Sequence, residues 1–265
     1  MPLDNDNFLD CSELFVIGNW KMNGRLSENE KYIESLSSKI DFFRNSSIFC
    51  GLAVPYPYLF QFSNRLIDTS LHLGVQEISS EMQDGPHTGD VSAEMIKEFS
   101  CSFVLIGHSE RRAKYKEEQE ELVKKAKVSI KEQLIPVICV GENLTCRKLG
   151  NAENFVKSQL NYFTTGLAKE ELVQCVFAYE PLWAIGSGEN ADPNDANEMH
   201  SVMKSEFKKF IGSDEYIKII YGGSVTADNA QNYFAQPNID GALIGGVSLD
   251  PHGFSRIIHT ALETK

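Results

Sequence analysis

Short runs of apolar residues recur along the chain, and longer amphipathic segments separate them. Eight such runs begin at Phe15, Ile48, Leu71, Phe103, Ile135, Cys175, Ile217 and Gly241. Most of them are continuously apolar rather than alternating, which is typical of strands covered on both faces, as in a parallel sheet. The pattern therefore predicts eight buried parallel strands.

The segments between the apolar runs carry the signals of helices. Ser27 and Glu30 have the spacing of a capping box, and Asp192 followed by Pro193 is typical of an N-cap with proline in the first turn. Successive strands start roughly 23 to 42 residues apart, which leaves room for a strand, a helix and two loops. The chain is therefore expected to alternate strands with helices.

Eight strand–helix units in about 250 residues predict an α/β fold, a (β/α)8 barrel formed by a single domain. We expect this domain to span residues 14–265 and a flexible polar extension to occupy residues 1–13. An open doubly wound sheet is the alternative, but no G-x-G-x-x-G sequence follows the first strand.

The net charge and the use of cysteine limit the kinds of partner that the chain can bind and the cellular compartment in which it works. The 265 residues include 25 Lys and Arg against 37 Asp and Glu, which gives a net charge of −12. Such a chain repels nucleic acid and anionic lipid, so we expect it to bind neither nucleic acid nor membrane. None of the six cysteines forms a Cys-x-x-Cys pair, and the N-terminus has no apolar signal segment. We therefore expect a cytoplasmic protein.

Polar residues and glycines gather where the predicted strands end, which is where barrels of this kind carry their active sites. The candidates at these strand ends are Asn19, Lys21, His108, Glu180, Ser224, Gly245 and Gly246. No spacing of metal ligands and no cofactor fingerprint accompanies them, so we expect chemistry without a cofactor.

The candidates form two sets: side chains that could carry out acid–base chemistry, and glycine-rich strand ends that could bind an anion. A lone carboxylate at a strand end is usually a structural ion pair, but Glu180 is followed by Pro181 and by apolar residues that would exclude water, which suits a general base. His108 stands where a helix begins, and a helix N-terminus disfavours the imidazolium. Lys21 would supply a cation, while glycine-rich ends of the last two strands suit a phosphate group.

Five segments together resemble triosephosphate isomerases, from about Phe15 to the C-terminus. They are NWKMN at 19–23, IGHSERR at 106–112, YEPLWAIGSG at 179–188, YGGSV at 221–225 and IGGVSL at 244–249. The resemblance implies a TIM barrel that interconverts dihydroxyacetone phosphate and D-glyceraldehyde 3-phosphate through an enediol, in glycolysis and gluconeogenesis. It also implies that Glu180 is the base, that His108 is the electrophile, and that Lys21 and Asn19 stabilise negative charge.

The same resemblance implies how the substrate and a second subunit would be bound. Gly186 on a lid, Ser224, Gly245 and Gly246 would hold the phosphate of a small triose, and no cofactor would be needed. Members of the family are homodimers in which the loop around the residue corresponding to Thr88 inserts into the partner.

This chain departs from the family pattern at three places. Glu77 follows Gln76 where the family usually has asparagine, DGPHTGD at 84–90 replaces a G-A-aromatic-T-G-E loop, and Ser187 replaces a threonine. Two other functions stay open: another phosphate-binding barrel enzyme, for example in amino-acid biosynthesis, or a barrel that binds phosphate without catalysis.

Overall fold

The predicted strands close into a single parallel barrel. In this computed structural model the described residues are 12–40, 46–67, 69–184, 191–213 and 216–264. The strands are β1 (Leu14–Asn19), β2 (Ile48–Val54), β3 (His72–Val75), β4 (Phe103–Ile106), β5 (Ile135–Val140), β6 (Val176–Tyr179), β7 (Lys218–Tyr221) and β8 (Gly241–Ile244). Each strand pairs with the next, and β8 pairs in parallel with β1. The (β/α)8 barrel is confirmed, and the doubly wound alternative is wrong.

Helices connect the strands. They are α1 (Leu26–Ile40), α2 (Leu59–Leu66), α3 (Ala93–Lys97), α4 (Ser109–Tyr115), α5 (Gln119–Lys131), α6 (Leu144–Lys148), α7 (Ala152–Gly166), α8 (Lys169–Leu172), α9 (Pro193–Ile211), α10 (Ala230–Phe234) and α11 (Pro251–Thr264), with 3-10 turns at Tyr56–Tyr58, Leu182–Ala184 and Gly246–Leu249. No helix in the described part of the chain is long and apolar enough to cross a membrane. The predicted extension at 1–13 is described only at Ser12 and Glu13, so its flexibility stays a prediction.

The strands are continuously apolar because both of their faces are buried. Phe15 and Ile17 of β1 join a cluster inside the barrel, while Leu14 and Val16 belong to the larger core shared with the helices. The interior is tightly filled: a Cβ on Gly74 would lie within 2.4 Å of the Phe103 ring. Because successive side chains of a strand point to opposite faces, one apolar run contributes residues to both the barrel interior and the core shared with the helices.

The two predicted helix starts have different outcomes. At α9 the prediction is confirmed, since the Asp192 side chain accepts a hydrogen bond from the Asn194 N–H and proline occupies the first turn. At α1 it is wrong, because the helix already begins at Leu26 and therefore includes Ser27.

Contacts with α2 explain why Glu30 does not cap α1. Its carboxylate accepts a hydrogen bond from Gln61 Nε2 at 3.2 Å and forms an ion pair with Arg65. The N–H of Arg25 is bound instead by the Asn29 side chain at 3.1 Å. The Glu30 carboxylate, which the local spacing assigned to the cap, is therefore bound by the neighbouring helix α2 instead.

Candidate active site

Seven of the eight predicted site residues line one cavity at the carboxyl ends of the strands. The cavity has a volume of about 340 Å³. The residues brought together are Asn19, Lys21, His108, Glu180, Ser224, Gly245 and Gly246. Gly186 lies outside the described residues, as does Ser187.

Lys21 is held in an unusual backbone conformation at the end of β1. Its φ is +52°, in the left-handed region that costs a residue with a side chain roughly 1–3 kcal/mol. The Lys21 N–H donates to Asn19 Oδ1 at 2.9 Å, and its Nζ donates to Glu110 Oε1 at 2.6 Å. Burial alone would raise the pKa of Glu110, but the hydrogen bond from Lys21 and the nearby charges lower it. Glu110 therefore stays an anion and orients the ammonium.

His108 is the N-cap of α4, as its position after β4 predicts. Its Nδ1 accepts a hydrogen bond from the N–H of Glu110 at 3.3 Å, so the ring proton resides on Nε2. Nε2 faces Glu180 Oε1 at 3.1 Å. Nε2 is therefore the ring nitrogen left to donate a hydrogen bond, and it points into the cavity.

Glu180 directly follows β6 and is 1% exposed. Its second carboxylate oxygen, Oε2, accepts a hydrogen bond from the Ser109 N–H at 2.9 Å. Glycine is required opposite it, because a Cβ on Gly222 would lie 2.7 Å from Glu180 Cγ. Burial and the charge of Glu180 raise the pKa of the neighbouring Cys139 thiol well above its usual range. The Glu180 carboxylate is therefore buried beside a thiol that keeps its proton.

The last two strands end in a polar and glycine-rich border of the cavity. Ser224 follows the glycine pair after β7, and the 3-10 turn Gly246–Leu249 begins directly after Gly245. The first N–H groups of a helical turn have no acceptor within it and attract anions. Gly245 also lies beside Lys21, whose Cε would be 3.7 Å from a Cβ placed there. This border suits a phosphate group.

The chain that leaves Glu180 is bound at both sides of residues 185–190, which lie outside the described residues. Before them, Trp183 Nε1 donates to Glu142 Oε1 at 3.0 Å, and the guanidinium of Arg147 lies 4.5 Å from the Trp183 ring. After them, the carbonyl of Ala191 accepts a hydrogen bond from Tyr233 at 2.7 Å. The residues that flank this segment, Trp183 and Ala191, are therefore fixed to the barrel.

Glu77, unusual for the family, belongs to a nearly buried cluster of charges. Lys125 Nζ contacts Glu77, Glu117 and Glu121 at 2.8, 2.9 and 3.2 Å, and Arg111 pairs with Glu77 and Glu117. Three carboxylates face two cations; Oε2 of Glu77 lies against Arg111 Nε, whereas Oε2 of Glu117 is buried without a hydrogen-bond donor among the described residues. A proton held by Glu77 would supply the missing donor and balance the charge.

Stability should therefore depend on pH through Glu77. Burial and the hydrogen bond with Glu117 raise the pKa of Glu77 to about 7 against the effect of Lys125. The folded protein binds this proton more tightly than the unfolded chain, so the stabilisation is full below about pH 4.5 and is lost as pH rises through 7. Glu77→Gln keeps a donor at every pH, and we expect it to be more stable than wild type by about 1–3 kcal/mol at pH 8.5.

Urea unfolding of both proteins at pH 5.5, 7 and 8.5, at one protein concentration, measures this difference. Glu121→Gln is the matched control, because Glu121 is the exposed member of the cluster. A Glu77→Gln difference that does not grow with pH would contradict the shared proton.

Two groups that contribute to the site were not predicted from the sequence. The Ser109 N–H binds Glu180, and Gln76 binds the backbone of Lys21. Gln76 directly follows β3, so the rule that polar residues at strand ends belong to the site could have found it. A backbone N–H carries no signal in the sequence.

Comparison with known proteins agrees with this geometry. The family model described as triosephosphate isomerase matches residues 14–261. The chain is 40% identical over 250 residues to the triosephosphate isomerase of Nitrosomonas eutropha, covering 93% of this chain and 97% of the relative. It is 39% identical over 249 residues to that of Hahella chejuensis, covering 94% and 98%.

Proposed function

This chain belongs to the triosephosphate isomerase family, and from that premise we propose how its cavity interconverts dihydroxyacetone phosphate and D-glyceraldehyde 3-phosphate. The activity is an aldose–ketose isomerisation of glycolysis and gluconeogenesis. The observation that carries the proposal is the convergence of Glu180, His108 and Lys21 on one cavity beside a glycine-rich border.

Substrate binding comes first. The phosphate is held by Ser224, Gly245 and Gly246, and by Gly186 if the resemblance applies there. The charge of Lys21 attracts this anion in a chain whose net charge is −12. A substrate oxygen then takes the place next to His108 Nε2 that Glu180 Oε1 occupies in this structure.

Proton transfer follows. Glu180 removes a proton from C1 of dihydroxyacetone phosphate, and the C–H electron pair forms the double bond of an enediolate. The negative charge that develops on the C2 oxygen is stabilised by His108 Nε2–H, Lys21 and Asn19. His108 moves a proton between the two oxygens, and Glu180 returns a proton to C2 to give the aldehyde. No cofactor takes part in this sequence.

Two assays test the reaction and the mechanism. A coupled assay with D-glyceraldehyde 3-phosphate separates an isomerase from another phosphate-binding barrel enzyme and from a barrel that only binds phosphate, since neither of those would turn over this substrate. Isomerisation of dihydroxyacetone phosphate in deuterium oxide should give a product with deuterium at C2. Retention of hydrogen alone, together with full activity in Glu180→Gln, would indicate transfer of a hydride and refute a base.

We also propose a homodimer formed through the loop around Thr88, and a cytoplasmic location. Residues 81–90 are all exposed, and a second cavity of about 530 Å³ lies on the other side of Lys21 and His108. Met22, 95% exposed, and Tyr115, 57% exposed, also line this cavity. Exposed apolar side chains at a cavity favour its being covered, here by the partner's loop.

Sedimentation equilibrium should therefore give the mass of two chains. Thr88→Arg should give the mass of one chain at micromolar concentration, because a long cation would have to enter a cavity of fixed size. Thr165→Arg on α7 is the control, since this exposed threonine lies on a helix of the outer layer. Dimers of unchanged stability in Thr88→Arg would refute the proposed contact.

A further inference from the structure

Gln76 connects the ends of three neighbouring strands. It directly follows β3, and its Nε2 donates to the Lys21 carbonyl at 2.9 Å and to the Ala53 carbonyl on β2 at 3.0 Å. The Ala53 carbonyl also accepts the N–H of Trp20 at 3.1 Å. Both donors of one amide are thus used on the backbone around Lys21.

Lys21 needs such support because its backbone is in the left-handed region. Residues with a side chain stay there only when the surrounding structure holds them. The N–H of Lys21 is bound by Asn19 and its carbonyl by Gln76, so both sides of the residue are fixed. The direction of the Lys21 side chain into the catalytic cavity depends on that conformation.

We propose that Gln76 is a positioning residue, which holds the Lys21 backbone so that its ammonium faces the substrate. The proposal rests on the function proposed for Lys21. Gln76 lines the second cavity and is not among the residues that line the catalytic cavity, to which its hydrogen bond with the Lys21 carbonyl connects it. Its role is therefore exercised through another residue and not on the reacting atoms.

The residue after Gln76 keeps the amide in place. The Glu77 carbonyl accepts a hydrogen bond from the Tyr56 hydroxyl, and the Glu77 carboxylate is held by Arg111 and Lys125. Arg111 lies on α4, the helix that also supplies Glu110 to the Lys21 ammonium. One helix thus supports Lys21 at its side chain and, through Glu77 and Gln76, at its backbone.

A double-mutant cycle between residues 76 and 21 tests the proposal. Gln76→Met keeps the length of the side chain and removes both donors. We expect it to lower kcat/KM by about 10- to 100-fold, the loss that a displacement of roughly 1 Å produces. In the Lys21→Met background the same change should lower kcat/KM by no more than about twofold, because the group being positioned is absent.

The other outcomes are distinguishable. An equal loss in both backgrounds would show a general structural defect and overturn the proposal, as would unchanged kcat/KM in Gln76→Met alone. Normal rates in Lys21→Met alone would refute the function of Lys21, and the positioning role with it. Gln61→Met is the control, since this glutamine of α2 donates to the Leu26 carbonyl at 2.8 Å and lines neither of the two cavities, so the change should not alter kcat/KM. Gln76→Ala serves as a second variant if the methionine disturbs folding.

Discussion

Glu180→Gln is expected to lower kcat by about 10²- to 10⁴-fold, the usual share of a general base. The amide can keep an oxygen near the Ser109 N–H, so the position of the side chain is retained. It cannot accept a proton from carbon, which removes the step from C1 to the enediolate. Binding should change less than turnover, because the phosphate border on β7 and β8 does not involve this side chain.

Steady-state kinetics in both directions measure this effect, and exchange of substrate hydrogen with solvent reports the same step directly. Glu153→Gln is the control, since Glu153 is an exposed glutamate on α7 paired with Lys157. Near-normal kcat with normal solvent exchange in Glu180→Gln would remove Glu180 from the role of base.

Lys21→Met is expected to lower kcat/KM by at least about 10²- to 10³-fold, the cost of losing one donor that stabilises transition-state charge. Methionine keeps an unbranched side chain, so the left-handed backbone is no more costly than with lysine. The change removes the cation that attracts the phosphate and stabilises the enediolate. KM should therefore rise while kcat falls.

The dependence of kcat/KM on salt separates these contributions, because attraction of an anion by a partly exposed lysine weakens at high ionic strength. Wild type should lose kcat/KM as salt rises, and Lys21→Met should lose much less. Lys157→Met is the control, as Lys157 is paired with Glu153 at 3.0 Å on the outer layer. Rates in Lys21→Met equal to those of wild type would exclude this residue from the mechanism.

The barrel and the residues around its cavity could be predicted from the sequence for one physical reason. Parallel strands buried on both faces must be apolar throughout, so they are visible as runs, and their carboxyl ends must meet at one rim. Polar residues at those ends, such as His108 and Glu180, are therefore neighbours whatever the details of packing. The cap at Asp192 was equally predictable, because its hydrogen bond joins residues two positions apart.

Relations between distant segments were decided only by the tertiary structure. The predicted capping box at Ser27 does not form, because Glu30 is bound by residues of α2. No residue close to Glu30 in the chain indicates that contact. The left-handed conformation of Lys21 depends on Gln76, which lies 55 positions away. The charge balance around Glu77 likewise depends on α4 and α5.

The chain by itself thus determined which elements form, in which order they pair and which chemical groups reach the rim, since periodicity and strand ends are local properties. The folded barrel alone decided which partner each group binds and which way each side chain points. Those depend on distances of about 3 Å between residues far apart in sequence, and on burial that no local pattern records.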